Sequence, residues 1–158
     1  MNKIIPRSKI RKKIHTLKEK GQKIVFTNGC FDLLHAGHVR YLKKARSLGD
    51  CLVIGLNSDQ SVRSIKDPHR PLIQEDQRAE VLGALECVDF IVLFNEADPY
   101  HLIAQIRPDV LVKGEDWALN KIIGADLVKS YGGEVRRVKL VPAISTTEII
   151  QRILCRYK

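Results

Sequence analysis

A chain of 158 residues, 44% of them apolar, is long enough to bury one core without disulfide or metal staples, and nothing in it marks a second folding unit. Lys and Arg outnumber Asp and Glu by 27 to 18, a formal charge of +9 that favours anionic partners without choosing among them. No apolar run approaches the roughly 18 residues of a membrane span, and Cys30, Cys51, Cys87 and Cys155 form no Cys-x-x-Cys pair, so a zinc cluster is excluded and reduced thiols in a soluble, cytoplasmic protein are expected.

Residues 1–22 read as a basic helical segment, with Lys3, Arg7, Lys9, Arg11, Lys12 and Lys13 on a solvated face, packed on or preceding a domain at 23–158. The segment lacks the apolar centre of a secretory signal. No aromatic residues interleave with its charges in the manner of a single-strand binder, so nucleic acid is not the expected partner. Lys23-Ile24-Val25-Phe26 opens a buried strand that runs into a glycine-punctuated turn, and Val39, Leu42, Ala45 and Leu48 then fall at helical spacing up to Gly49. Cys51–Leu56 reads as a second buried strand, followed by a polar loop to Arg70-Pro71 and a helix over Glu75–Leu85. A third strand is expected at Val88–Phe94, a helix at Pro99–Ile106 and a fourth strand at Val110–Val112. A weaker helix is expected at Asn120–Tyr131, stopped by Gly132-Gly133. A half-exposed fifth strand over Glu134–Leu140 and a last helix over Thr146–Leu154 complete the series. Short apolar strands alternating with amphipathic helices predict an α/β fold, a doubly wound five-stranded parallel sheet in a single domain, with ligands beyond the strands' carboxyl ends.

The most informative stretch is Thr27-Asn28-Gly29-Cys30-Phe31-Asp32-Leu33-Leu34-His35-Ala36-Gly37-His38, at the end of the first strand and the opening of a helix. His35 and His38 can face one anion there. Gly29 and Gly37 permit close backbone approach, and the free N–H groups of the helix start add positive potential. Asp32 serves equally well as a turn cap or as a site residue, and Cys30 is read as lining the turn rather than as a nucleophile.

Further pieces fall at the same predicted edge. Asn57-Ser58-Asp59 follows the second strand, although an ordinary polar turn explains it as well. Lys66 and Arg70 lie in a loop able to fold over a polyphosphate. Arg78 stands three residues into its helix, where a guanidinium fork can meet phosphate oxygens, or where it is merely a surface charge. After the fourth strand, Lys113-Gly114-Glu115-Asp116-Trp117 combines a close approach, a carboxylate acceptor and an apolar wall. Ser145-Thr146-Thr147-Glu148 has capping-box spacing, which is a sufficient structural explanation, and its hydroxyls and N–H groups can also hold phosphate.

The histidine stretch resembles the HxGH signature of the nucleotidyltransferase superfamily. With Leu56-Asn57-Ser58-Asp59, Arg70-Pro71, Gln77-Arg78, Leu111-Val112-Lys113-Gly114, Gly132-Gly133-Glu134-Val135 and Ser145-Thr146-Thr147, the chain from about residue 8 to 153 resembles the D-glycero-β-D-manno-heptose 1-phosphate adenylyltransferases. The resemblance implies a Rossmann-like nucleotidyltransferase fold, ATP as co-substrate, Mg²⁺ carried by its phosphates with no dedicated metal site, and a sugar 1-phosphate acceptor in lipopolysaccharide biosynthesis. It implies that His35, His38, Lys66 and Arg78 attend the triphosphate. Asp116 and Trp117 would lie near the nucleotide, together with Asn28, Gly29, Cys30, Phe31, Gly37, Asn57, Asp59, Lys113, Gly114, Ser145, Thr146 and Thr147. Some relatives carry a fused kinase ahead of this domain, so a separate heptose kinase is the expected pathway partner here, and a homodimer is the expected assembly. Related glycerol-phosphate cytidylyltransferases carry an arginine where Leu140-Val141-Pro142-Ala143 stands. A cytidylyltransferase acting on an alcohol phosphate is the alternative enzyme, and a non-catalytic nucleotide or RNA-binding module the alternative from another class.

Overall fold

The computed structural model describes residues 3–139 and 144–157. Five parallel strands, β1 (Ile24–Gly29), β2 (Cys51–Asn57), β3 (Phe90–Phe94), β4 (Val110–Gly114) and β5 (Glu134–Val138), form one sheet in the order β3-β2-β1-β4-β5. The winding reverses between β1 and β4, which opens a crevice beyond their carboxyl ends. Register sharpens that crevice. β1 pairs with β2 from Ile24↔Cys51 through Gly29↔Leu56, but its pairing with β4 covers Val25↔Val110 and Phe26↔Leu111 alone. Asn28 and Lys113 therefore end on strands that have begun to part.

Among the described residues seven α-helices cover the two faces: α1 (Arg7–Glu19), α2 (Ala36–Arg46), α3 (Asp59–Ile65), α4 (Glu75–Gly83), α5 (Tyr100–Ile106), α6 (Ala125–Ser130) and α7 (Thr146–Arg156). Strand β2 is buried at every position because alternate side chains feed opposite layers. Val53 joins Phe26, Leu111 and the apolar sides of α1, α5 and α6. Leu52, Ile54 and Leu56 join α2 and α4 through Tyr41, Leu42, Ala79 and Leu82. Helix α1 inserts Ile10 and Ile14 into the first cluster, each contributing about 1.5–3 kcal/mol if taken wholly out of water. Lys9, Arg11 and Lys12 of α1 are exposed, whereas Arg7, expected on a solvated face, and Lys18 turn to the domain and donate to Glu96 at 2.6 Å and Asp109 at 2.9 Å. Among the described residues no helix is long and apolar enough to cross a membrane.

Two stretches differ from the expectation drawn from the sequence. The polar segment after β2 contains α3, capped by Ser58, whose Oγ accepts the Ser61 N–H at 3.2 Å, and anchored by the fully buried Val62. The segment 120–131 is not one helix. A 3₁₀ turn at Leu119–Lys121 ends at the buried Ile122, and Gly124 then takes φ +83° before α6 begins. A left-handed residue cannot continue a right-handed helix.

Candidate active site

The turn after β1 is built around Phe31, which holds φ +46°, a backbone state disfavoured for any residue with a side chain. Burial of its ring over Gly29 and edge-on to His38, at 5.2 Å between ring centroids, holds it there. The chain then enters α2 with His35 at the N-cap in extended conformation. His35 makes no side-chain cap, and the first turn of α2 contains no acid, so the positive end of the helix dipole faces the crevice without a carboxylate from its own helix.

Three residues along one helical turn bring the imidazoles together. The His35 and His38 rings stack at 3.8 Å with 24° between their planes. Both Nδ1 atoms are buried without a hydrogen-bond partner among the described residues. Burial drives the His38 pKa down to about 4, assisted by the neighbouring His35 and opposed by a backbone contact with Leu33. Burial also lowers His35, against the attraction of Glu148. Both rings are neutral near pH 7. Gly37 is required by crowding, since a Cβ there would lie 2.9 Å from His35 and 3.2 Å from Ile144.

These rings open on a cavity of about 460 Å³ that also exposes Asn28, Gly29, Cys30, Phe31 and Gly37. Its far wall is Lys113 and Gly114 at the end of β4 with Asp116 and Trp117 just beyond, closed by Ser145 and Thr146 at the start of α7. Ser145 Oγ accepts the Glu148 N–H at 3.1 Å, so the capping box is formed on the donor side and its residues face the cavity as well. A second cavity, of about 650 Å³, adjoins the first and is lined by Asn57, Lys66 and Thr147 together with Asp32 and Arg70. The Lys113 ammonium donates to Asn28 Oδ1 and lies 5.7 Å from the centre of the Trp117 ring. Burial pushes its pKa down to about 8, with Asp116 and Cys30 acting in the opposite direction. Burial raises the Cys30 thiol, so that sulfur is protonated and inert at neutral pH.

Two residues expected at the site stand elsewhere. Arg78 is neither a surface charge nor a wall of either cavity: its side chain is wholly buried and its fork is already occupied. Nε donates to Ile73 O at 2.9 Å, Nη1 to Cys30 O at 2.6 Å and Asn57 O at 2.9 Å, and Nη2 to Asp59 Oδ1 at 2.7 Å. The guanidinium ties the turn after β1, the end of β2 and the segment before α4 into one body. Asp59, expected beside the nucleotide, is its counter-ion. Asp32 resolves as a latch: it accepts Arg70 Nε at 2.5 Å and the backbone N–H groups of Leu72 and Ile73, and so draws the segment after α3 over the second cavity.

Several lining residues escaped the sequence reading. Tyr41, whose hydroxyl shares a 2.8 Å hydrogen bond with Thr27, lines the first cavity; Ile65, Asp67 and Ile123 line the second. Ala97 and Pro99 line the second cavity as well, and their position just past β3 was available as a signal, because every strand of a parallel sheet delivers its following loop to the same edge. Residues 140–143, where some relatives carry an arginine, lie outside the described residues. Among the described residues no group of three or more His, Cys, Asp or Glu could hold a metal.

Residues 26–152 match the family described as cytidylyltransferase-like. The chain belongs to that family. It is a nucleotidyltransferase, consistent with a His-x-Gly-His turn at the switch point of a parallel sheet. It is 54% identical over 157 residues to the bifunctional protein HldE of Syntrophotalea carbinolica, covering 99% of this chain and 32% of that protein. Its identity to the HldE protein of Magnetococcus marinus is 59% over 133 residues, 84% of this chain and 27% of that one. The chain thus spans about a third of the length of these relatives. Among solved structures, a lipopolysaccharide core biosynthesis protein from Thermoplasma volcanium superposes with a TM-score of 0.62 at 31% identity, covering 77% of this chain and 98% of the other.

Proposed function

We propose that this chain transfers the adenylyl group of ATP to a sugar 1-phosphate, D-glycero-D-manno-heptose 1-phosphate, releasing pyrophosphate and giving ADP-heptose. The observation that carries the reading is the stacked pair of neutral imidazoles that line a cavity at the N-terminus of α2, beside a second cavity furnished with Lys66 and Arg70. Identity above 50% to HldE proteins and the likeness to a lipopolysaccharide core biosynthesis protein support the heptose substrate.

The acceptor's phosphate oxygen is already ionised and needs no general base. It attacks the α-phosphorus of ATP in line, a new P–O bond forms, and the bond to the bridging oxygen breaks with its electron pair leaving on pyrophosphate. Barrier lowering then depends on bringing two polyanions together and stabilising charge on the phosphoryl oxygens. His35 and His38, the N–H groups opening α2 and the hydroxyls of Ser145 and Thr146 supply donors on one side; Lys66 and Arg70 supply cations on the other. Magnesium enters as part of the nucleotide substrate and neutralises its phosphates. A sugar kinase must supply the 1-phosphate, and the part of the bifunctional relatives that lies outside the match has room for one.

Incubating the protein with ATP, CTP, GTP or UTP and a panel of sugar and alcohol phosphates, with mass detection of the product, tests the reading. ADP-heptose as the dominant product is expected. A CDP-alcohol would instead assign a cytidylyltransferase, and salt-sensitive RNA binding without pyrophosphate release would remove the enzymatic reading.

A further inference from the structure

The two cavities meet along a common wall. Asn28, Gly29, Cys30, Phe31, His38 and Thr146 line both, and so do Lys113 and Trp117. When a group passes between ligands held in adjoining compartments, the reacting atoms meet where the compartments touch, and the charge of the transition state develops there. His38 is neutral and the Cys30 thiol protonated at pH 7. That leaves Lys113 as the cation of the shared wall among the described residues. No ion pair among the described residues involves it. Its hydrogen-bond partner is the neutral amide oxygen of Asn28, reached across the gap where β1 and β4 part, while the Trp117 ring flanks its charge. An ammonium has three donors, so one N–H positions it and two remain for an incoming anion. Lys66 and Arg70, by contrast, belong to the second cavity alone, and Arg70 is already engaged by Asp32.

Building on the transfer reading above, we propose that Lys113 is a catalytic residue, its ammonium placed between the donor's α-phosphoryl group and the acceptor's phosphate so that it acts on the transition state shared by the two ligands. The burial that lowers its pKa to about 8 leaves it charged near neutrality while stripping away competing water.

The test is a comparison of wild type, Lys113→Met and Lys113→Gln. The first variant removes the charge while keeping an unbranched stem, and the second keeps a hydrogen-bonding group beside Asn28. Initial rates with both substrates varied give kcat and KM, and calorimetry with α,β-methylene-ATP gives nucleotide affinity in the absence of transfer. Both variants are expected to lose about a hundredfold or more in kcat, the scale of removing one preorganised charge-stabilising donor, with nucleotide affinity within about threefold of wild type. Should Lys113→Met fail to fold, Lys113→Gln carries the comparison. The proposal is overturned if kcat stays within about threefold of wild type, or if the loss lies wholly in ATP affinity at unchanged kcat, which would make Lys113 a nucleotide-binding residue only. Wild type that releases no pyrophosphate with any of these substrates would overturn the transfer reading itself, whereas an active wild type with unaffected variants removes the role of Lys113 alone.

Discussion

Arg78→Met is expected to damage stability far more than it damages any contact with a ligand. The substitution preserves much of the aliphatic volume and deletes four hydrogen bonds, leaving the carbonyls of Cys30, Asn57 and Ile73 and the carboxylate of Asp59 without their donor. A buried acceptor stranded in this way costs about 1–3 kcal/mol, and breaking a buried ion pair from one side costs about 3–5 kcal/mol. The Asp59 side chain is 21% exposed and regains some water. The expected total is accordingly the ion-pair figure, about 3–5 kcal/mol, rather than the sum of four separate losses. For a domain of this size each kcal/mol moves the thermal midpoint by roughly 2–4 °C, giving a fall of about 6 to 20 °C. Calorimetric or urea unfolding measures it, with binding of a non-hydrolysable ATP analogue followed below the new midpoint. A midpoint within about 3 °C of wild type together with lost analogue binding would refute the structural role and return Arg78 to the triphosphate.

Replacing His35 or His38 by alanine should lower turnover by about a hundredfold or more, and undiminished pyrophosphate release in either variant would take the imidazoles out of the mechanism. In the free protein the depressed His38 pKa keeps the ring neutral above about pH 5. Stability contributed by that neutral burial is lost as pH falls from the ordinary histidine range towards 4, while bound triphosphate should raise the value again. Imidazole proton resonances titrated with and without the analogue would show this, and a free-protein midpoint near the ordinary histidine value would contradict it. Gly37→Ala should leave the fold intact and push His35 off the stack, weakening triphosphate binding by about tenfold, a loss of the order of one misplaced donor. Asp32→Asn removes the charge that holds Arg70 and should release the segment after α3, seen as faster amide exchange at Leu72 and Ile73 with the core unaffected.

The strand and helix order of this chain is written in local patterns. The run Cys51–Leu56 has to lie inside, and Ala36–Arg46 has to show one side to a core, because apolar spacing admits few other arrangements. The His-x-Gly-His turn was legible for the same reason: a strand end, a glycine and a helix start are neighbours in sequence. Helix α3 was less legible, since a single buried Val62 among polar residues gives no periodicity to read. The break at Gly124 was hidden because glycine is tolerated inside helices and its φ is a property of the folded backbone.

The sequence by itself determined a parallel α/β domain with an anion-ready turn after its first strand, because each of those features depends on residues a few positions apart. Tertiary structure alone decided which cation lines the cavities. Arg78 and Lys113 both read as positive charges at the correct edge, and the fold turned the first inward to bind three backbone carbonyls while holding the second where two cavities meet. Carbonyls from three distant segments must converge before a guanidinium can satisfy them together, and no local pattern records that convergence.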